Sequence, residues 1–155
     1  MYRTALLLSA FFAVSFGCNC GIFPPTPQDN FCRSNFVGVL GITSRINASD
    51  EFPLLSYVGR SISNNLIFKN PFDTHEEPFS INLLTQKDFG TSAGDCGVNW
   101  LEEHKTYLLN GHIFQGALYL FNCAQIDARD EWLNVPEDIK KALLDGTYQK
   151  NCGQK

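Results

Sequence analysis

The sequence predicts a mainly β protein with some helix: a five-stranded closed barrel of the OB type, with flanking helices and three disulfides. Three observations predict it. Five short apolar segments are separated by turn residues, one helical stretch stands near the carboxyl end, and six cysteines all follow an apolar amino-terminal leader.

In chain order the leader comes first. Met1 to Gly17 carries one early cation, Arg3, then an apolar run from Ala5 to Phe16, and ends Ser15-Phe16-Gly17 with small side chains where signal peptidase needs them. The run is shorter than the roughly 20 residues a membrane span requires, and no second such run follows. The expected product is secreted to the extracellular space or matrix, with no membrane insertion. Residues 1–17 are read as the signal and residues 18–155 as one domain, large enough to bury its own core. The full chain of 155 residues has a net charge of −4, and losing Arg3 with the signal takes it to about −5. With no basic field, nucleic acid is not an expected partner.

A Pro-rich opening, Phe23-Pro24-Pro25-Thr26-Pro27, is read as non-helical. Asn35 to Arg45 (NFVGVLGITSR) alternates as a strand, with Gly38 and Gly41 marking a bend or bulge. Leu54 to Lys69 reads as a second strand broken at Asn64-Asn65, and Phe79 to Leu84, Thr106 to His112 and Ala117 to Cys123 supply three more. Ile113-Phe114-Gln115-Gly116 has the chemistry of a hairpin connection. Near the end, Asn134 stands three residues before Glu137 as a helix N-cap, with Pro136 in the first turn. Ile139, Ala142 and Leu143 then recur at helical spacing until Gly146. The sequon Asn47-Ala48-Ser49 makes Asn47 a candidate glycan acceptor on the loop between the first two strands.

No catalytic constellation stands out. His75, His104 and His112 are scattered singly, without HExxH or comparable spacing. Glu76-Glu77 and Glu102-Glu103 are adjacent pairs whose side chains diverge, so they are read as solvated charges. There is no nucleophile elbow, P-loop or dinucleotide fingerprint. Phe36, Phe52, Phe68, Phe79, Phe121 and Trp132 are read mostly as core. An enzyme is not expected, nor is a cofactor of the protein's own.

The cysteines Cys18, Cys20, Cys32, Cys96, Cys123 and Cys152 form an even set in an exported chain, which argues for three disulfides. A zinc site from Cys18, Cys20 and Cys32 is the competing reading. It would need reduced thiolates in an oxidising compartment and has no CxxC-type second half. Cleavage after Gly17 leaves Cys18 first, with a free α-amine. A bond between Cys18 and Cys20 would close a small strained ring, so each is expected to find a distant partner, pinning a terminus that would otherwise fray. An α-amine titrates near about 8, so its neutral, metal-ligating form is accessible at physiological pH. With the carbonyl of the same residue it can chelate a zinc ion that has an open position, as a protease zinc does.

CNC at the mature start, PQDNFC at Pro27 to Cys32, DCGV at Asp95 to Val98, LYLFNC ending at Cys123, the Trp132 region, the following helix and Cys152 together resemble the tissue inhibitors of metalloproteinases, in their inhibitory amino-terminal, netrin-like domain. The resemblance spans the mature chain and every cysteine. It implies pairings Cys18–Cys96, Cys20–Cys123 and Cys32–Cys152. It further implies that Cys18 chelates the target's catalytic zinc, that Asn19 enters the adjoining specificity pocket, that Cys20 and Gly21 continue along the cleft, and that Gly94, Asp95 and Cys96 form a neighbouring contact ridge. The implied partners are secreted or membrane-anchored zinc metalloproteinases of the matrix metalloproteinase class, met by a monomer.

Three departures from the family pattern stand out. Asn19 occupies a position usually held by Thr or Ser, and its amide, if unsatisfied in an apolar pocket, would cost about 1–3 kcal/mol. Thr26-Pro27-Gln28 replaces the family's His-Pro-Gln. The sequence ends just after Cys152, without the second six-cysteine domain of vertebrate members, so contacts made through that domain are not expected. The alternative reading is a non-inhibitory netrin-like module that binds a receptor, a matrix component or a growth factor.

Overall fold

The structure is a computed structural model that describes residues 20, 24–46, 54–71, 78–87, 97–127 and 130–153. Six strands are present among them: β1 (Phe36–Ile46), β2 (Leu54–Ser61), β3 (Ile67–Lys69), β4 (Ser80–Gln86), β5 (Thr106–Phe114) and β6 (Ala117–Leu120). β1 pairs with β2, β2 with β4, β4 with β6, β6 with β5, and β5 returns to β1, which closes a five-stranded barrel. All of these pairings are antiparallel except β4–β6, which is parallel with Thr85 opposite Leu120. β3 is a short sixth strand laid along β1.

β1 organises both layers of the core. Phe36, Leu40 and Ile42 enter the barrel interior with Leu55, Tyr57, Leu83, Tyr107, Leu109, Leu118 and Leu120. Val37 and Val39, on the alternate positions, face outward and join Phe31, Leu108, Ile126, Val135, Ile139 and Leu143 beneath the helices. A strand buried on both faces reads as a near-continuous apolar run, which is what FVGVL is.

The helices differ from the sequence expectation in two places. Pro24 to Thr26 are non-helical as expected, but Pro27, the last residue of the Pro-rich opening, starts a helix: α1 (Pro27–Arg33) has Thr26 as N-cap and Asp29 closing a capping box, and Pro27 occupies the first turn, where its missing N–H costs nothing. The carboxyl-terminal helix does not start at an Asn134 cap. Asn134 ends a short 3-10 turn (Trp132–Asn134), and α2 (Glu137–Leu144) begins after Pro136, with no side-chain cap. Val135 precedes a proline, which disfavours helical backbone, and it sits at φ −56°, ψ 133°. Gly146 ends α2 in the left-handed region, and α3 (Thr147–Asn151) follows.

Strand boundaries also shift. The segment Leu54 to Lys69 is two strands, separated by a 3-10 turn at Asn64–Leu66 that the Ser63 side chain caps. β6 stops at Leu120, three residues short of the expected Cys123, because the chain turns into a 3-10 element at Asn122–Ala124. Ile113 and Phe114 belong to β5, which leaves a two-residue hairpin at Gln115 and Gly116 with φ of 50° and 80°, the pattern of a type I′ turn. β1 breaks register at Val37/Gly38 against β3, and at Ile42/Ser44 against β2, just beyond Gly41. Phe36 is core, whereas Phe121 is exposed and Phe68, Phe79 and Trp132 are half-buried. Phe52 lies outside the described residues.

Candidate functional site

Two disulfides stand at different places on the barrel. Cys32 at the end of α1 bonds Cys152 just after α3, with Cα atoms 5.4 Å apart. Cys20 bonds Cys123, with Cα atoms 5.2 Å apart, and so ties the amino-terminal segment to the turn that follows β6. Of the expected contact residues only Cys20 is described. Cys18, Asn19, Gly21, Gly94, Asp95 and Cys96, the Cys18–Cys96 pairing and the sequon at Asn47 lie outside the described residues.

The residues that follow Cys96 reach the same end of the barrel as Cys123. The Val98 N–H donates to Thr85 Oγ1 (2.7 Å), and Thr85 Oγ1 donates in turn to the Leu120 carbonyl (3.0 Å). Thr85 is buried and lies opposite Leu120 in the parallel β4–β6 pair, so one hydroxyl joins the strand that leads to Cys123 with the segment that leaves Cys96. Gly97 is pressed against β4: a Cβ there would lie 1.7 Å from the Gln86 carbonyl oxygen. Only glycine permits that approach.

The turn that carries Cys123 is held by side chains rather than by a strand ladder. Asn110, fully buried in β5, donates from Nδ2 to the Ala124 carbonyl (2.6 Å) and to Ser34 Oγ (2.8 Å), while its Oδ1 accepts the Ile126 N–H (2.7 Å). Gln125 Nε2 donates to the carbonyls of Asn110 (2.8 Å) and Phe121 (3.1 Å), and its Oε1 accepts the Asn110 N–H (3.3 Å). Asn30 of α1 donates to the Gln125 carbonyl (2.9 Å), and Ser34 Oγ donates to the Asn30 carbonyl (2.8 Å). Trp100 Nε1 donates to Asn122 Oδ1 (3.0 Å) from the other side. A buried network with its members satisfied in this way is rigid and specific.

Sequence reasoning found Cys20 and Cys123 but missed Thr85, Asn110 and Gln125. The available signal was a lone amide inside an apolar strand, Asn110 in YLLNGHIF, a position that demands partners.

The weighed acid and imidazole groups take structural places. Glu103 Oε1 accepts the Arg45 N–H (2.7 Å). Lys105 bridges Glu131 (3.0 Å) and Glu102 (3.1 Å), and the hydrogen bonds it donates to Glu131 and then to Glu102 raise its pKa. His104 and His112 are exposed, and the His104 N–H donates to the Ile42 carbonyl (2.8 Å). His75, Glu76 and Glu77 lie outside the described residues. Among the described residues no three His, Cys, Asp or Glu side chains are grouped to hold a metal ion, and no helix is long and apolar enough to cross a membrane.

An OB-type barrel with its amino-terminal segment tethered through Cys20 to one end is a disulfide-stapled, netrin-like domain. The chain belongs to the tissue inhibitor of metalloproteinase family, whose model matches residues 17–155. No curated protein matches it significantly. Proteins of this family are secreted, bind metalloproteinases and inhibit them rather than acting as enzymes, so membership implies metalloproteinase inhibition in general.

Proposed function

We propose that this protein is secreted after cleavage at Gly17 and inhibits zinc metalloproteinases of the matrix class as a monomer, with its mature terminus at Cys18. The α-amine and carbonyl of Cys18 would ligate the target's catalytic zinc at the position otherwise open to water. The metal belongs to the target, and the inhibitor brings no cofactor of its own. Asn19 would enter the adjoining pocket, Cys20 and Gly21 would follow the cleft, and Gly94, Asp95 and Cys96 would form the second ridge, held by a Cys18–Cys96 bond.

The observation that carries this reading is the convergence at one barrel end. The Cys20–Cys123 bond brings in the amino-terminal segment two residues from Cys18, and Gly97 and Val98, next to Cys96, are fixed to β4 beside the strand that leads to Cys123. A ligand held in place before it meets the target loses less conformational freedom on binding.

The test is to place one alanine before Cys18, or to acetylate its amine, and to titrate a panel of matrix metalloproteinases. Inhibition by the unmodified protein and its loss on blocking are the expected results. Equal inhibition by both forms would rule out chelation through the amine.

A further inference from the structure

Cys123 is the end of the Cys20–Cys123 tether that the barrel has to hold in place. It sits in a 3-10 turn of three residues, Asn122–Ala124, beyond the last residue of β6. The carbonyls that flank it, Phe121 before and Ala124 and Gln125 after, are bonded by amide side chains of Gln125, Asn110 and Asn30, and the Ile126 N–H is bonded by Asn110. Asn110 and Gln125 also bond each other's main chains, so the turn is strapped to the middle of β5 on both sides of the cysteine. Deep inside the protein such amides fix one arrangement, because every alternative leaves a donor or acceptor without a partner.

We propose that Asn110 and Gln125 are positioning residues for inhibition: a buried amide clamp that holds Cys123, and through it Cys20 and the inhibitory terminus, in binding-ready geometry. This rests on the proposed function for its link to inhibition. The clamp itself is a statement about Cys123 and can be tested separately. Removing it leaves the barrel ladder in place but frees the turn to sample other positions. The terminus then has to be ordered at the moment of binding, which weakens affinity without touching any contact with the target.

The test uses the full oxidised protein with Asn110→Leu and Gln125→Met, which keep side chains of similar length and remove the amides. Three quantities are measured: the inhibition constant against a matrix metalloproteinase, corrected for active fraction by titration; the rate at which each disulfide is reduced by a mild thiol, mapped by mass spectrometry; and the melting temperature. The expected result is inhibition weaker by about tenfold, equivalent to about 1.4 kcal/mol. Faster reduction of Cys20–Cys123 with Cys32–Cys152 unchanged should accompany it. Leu143→Ala, in the apolar cluster that packs Cys32 and Cys152, supplies a control that lowers the melting temperature and leaves inhibition and the reduction rate of Cys20–Cys123 as in the wild type.

Should Asn110→Leu not fold, Asn30→Ala removes only the outer bond to Gln125 and is expected to shift both readouts the same way, by less. Clamp variants that inhibit and reduce like the wild type overturn the proposal. A wild type that inhibits nothing overturns the proposed function instead, and the reduction rates then still decide whether the amides hold Cys123.

Discussion

The two described staples close rings of nearly equal size, with sequence separations of 103 for Cys20–Cys123 and 120 for Cys32–Cys152, yet the balance of apolar and polar contacts around them differs. Around Cys32–Cys152 the apolar packing of Phe31, Tyr148, Ile139 and Leu143 under the helices, with the Phe31 and Tyr148 rings 5.5 Å apart, is joined by two polar side chains at its edge: Gln28 Nε2 donates to Cys32 Sγ (3.0 Å) and to the Tyr148 carbonyl (2.8 Å), and Lys69 Nζ donates to the carbonyls of Phe31, Cys32 and Ser34. Around Cys20–Cys123 the framework is polar and directional, made of Asn110, Gln125, Asn30 and the Thr85 relay. Apolar packing stabilises a region but tolerates small slides. Buried amides add little net stability and specify one position. The helix side is built to hold the fold together, and the β4–β6 end is built to hold a point in space.

Removing each staple in turn is the strongest way to break that comparison. The chain-entropy account assigns about 4 to 5 kcal/mol to either bond, as an upper, model-dependent figure, because the rings are so similar. Replacing Cys32 and Cys152 together by alanine should lower stability to denaturant by an amount of that order and leave inhibition per folded molecule within a few-fold of the wild type. Replacing Cys20 and Cys123 together should lower stability comparably and remove inhibition as well. Equal effects of both pairs on inhibition would erase the distinction between the two ends.

Thr85→Val comes next in size. It keeps the shape but leaves the Val98 N–H without its acceptor and the Leu120 carbonyl without its donor, and should destabilise the protein by about 2 kcal/mol in chemical denaturation. It should also weaken inhibition, since the segment that leaves Cys96 is no longer joined to β6.

The smallest effect concerns Asp127, just past the clamp. Burial, and then the neighbouring Asp130, raise its carboxyl pKa, and its Oδ2 is buried without a hydrogen-bond partner among the described residues. A raised carboxyl pKa means that the folded state holds the proton more tightly than the unfolded chain. Its contribution therefore favours folding at low pH and is lost as pH rises from the unfolded value through the folded one. Asp127→Asn should be slightly more stable than the wild type at neutral pH, and the gap should close on acidification. Melting temperature followed from pH 3 to 7 checks it.

How much of this was legible in the sequence differs between the same two regions. The strands, the hairpin at Gly116 and α2 were readable because alternation, a left-handed turn residue and helical spacing are local signals. α1 carries no apolar periodicity long enough to announce it, and Pro27 reads with the non-helical opening, although Thr26-Pro27-Gln28-Asp29 supplies a cap, a first-turn proline and a capping-box acid. The Asn134 cap failed for the opposite reason, since the proline that seemed to start the helix kept Val135 out of it. Cys20 and Cys123 could be singled out from spacing and family likeness, whereas the amides that position Cys123 could not. Asn110 and Gln125 lie 15 residues apart, Asn30 lies 95 residues from Gln125, and no periodic pattern links them. They meet only once the barrel has closed.

The order in which the tether is made follows from its length along the chain. Synthesis starts at the amino terminus, and domains fold as their residues emerge. Cys20 is made before any strand of the barrel, but its partner is 103 residues further on and its partner's setting needs β4, β5 and β6 in place. Cys32, by then already made, waits longer still for Cys152. The segment that carries Cys20 is thus made early and fixed late, and a nascent chain that has not reached Cys123 cannot yet anchor it there.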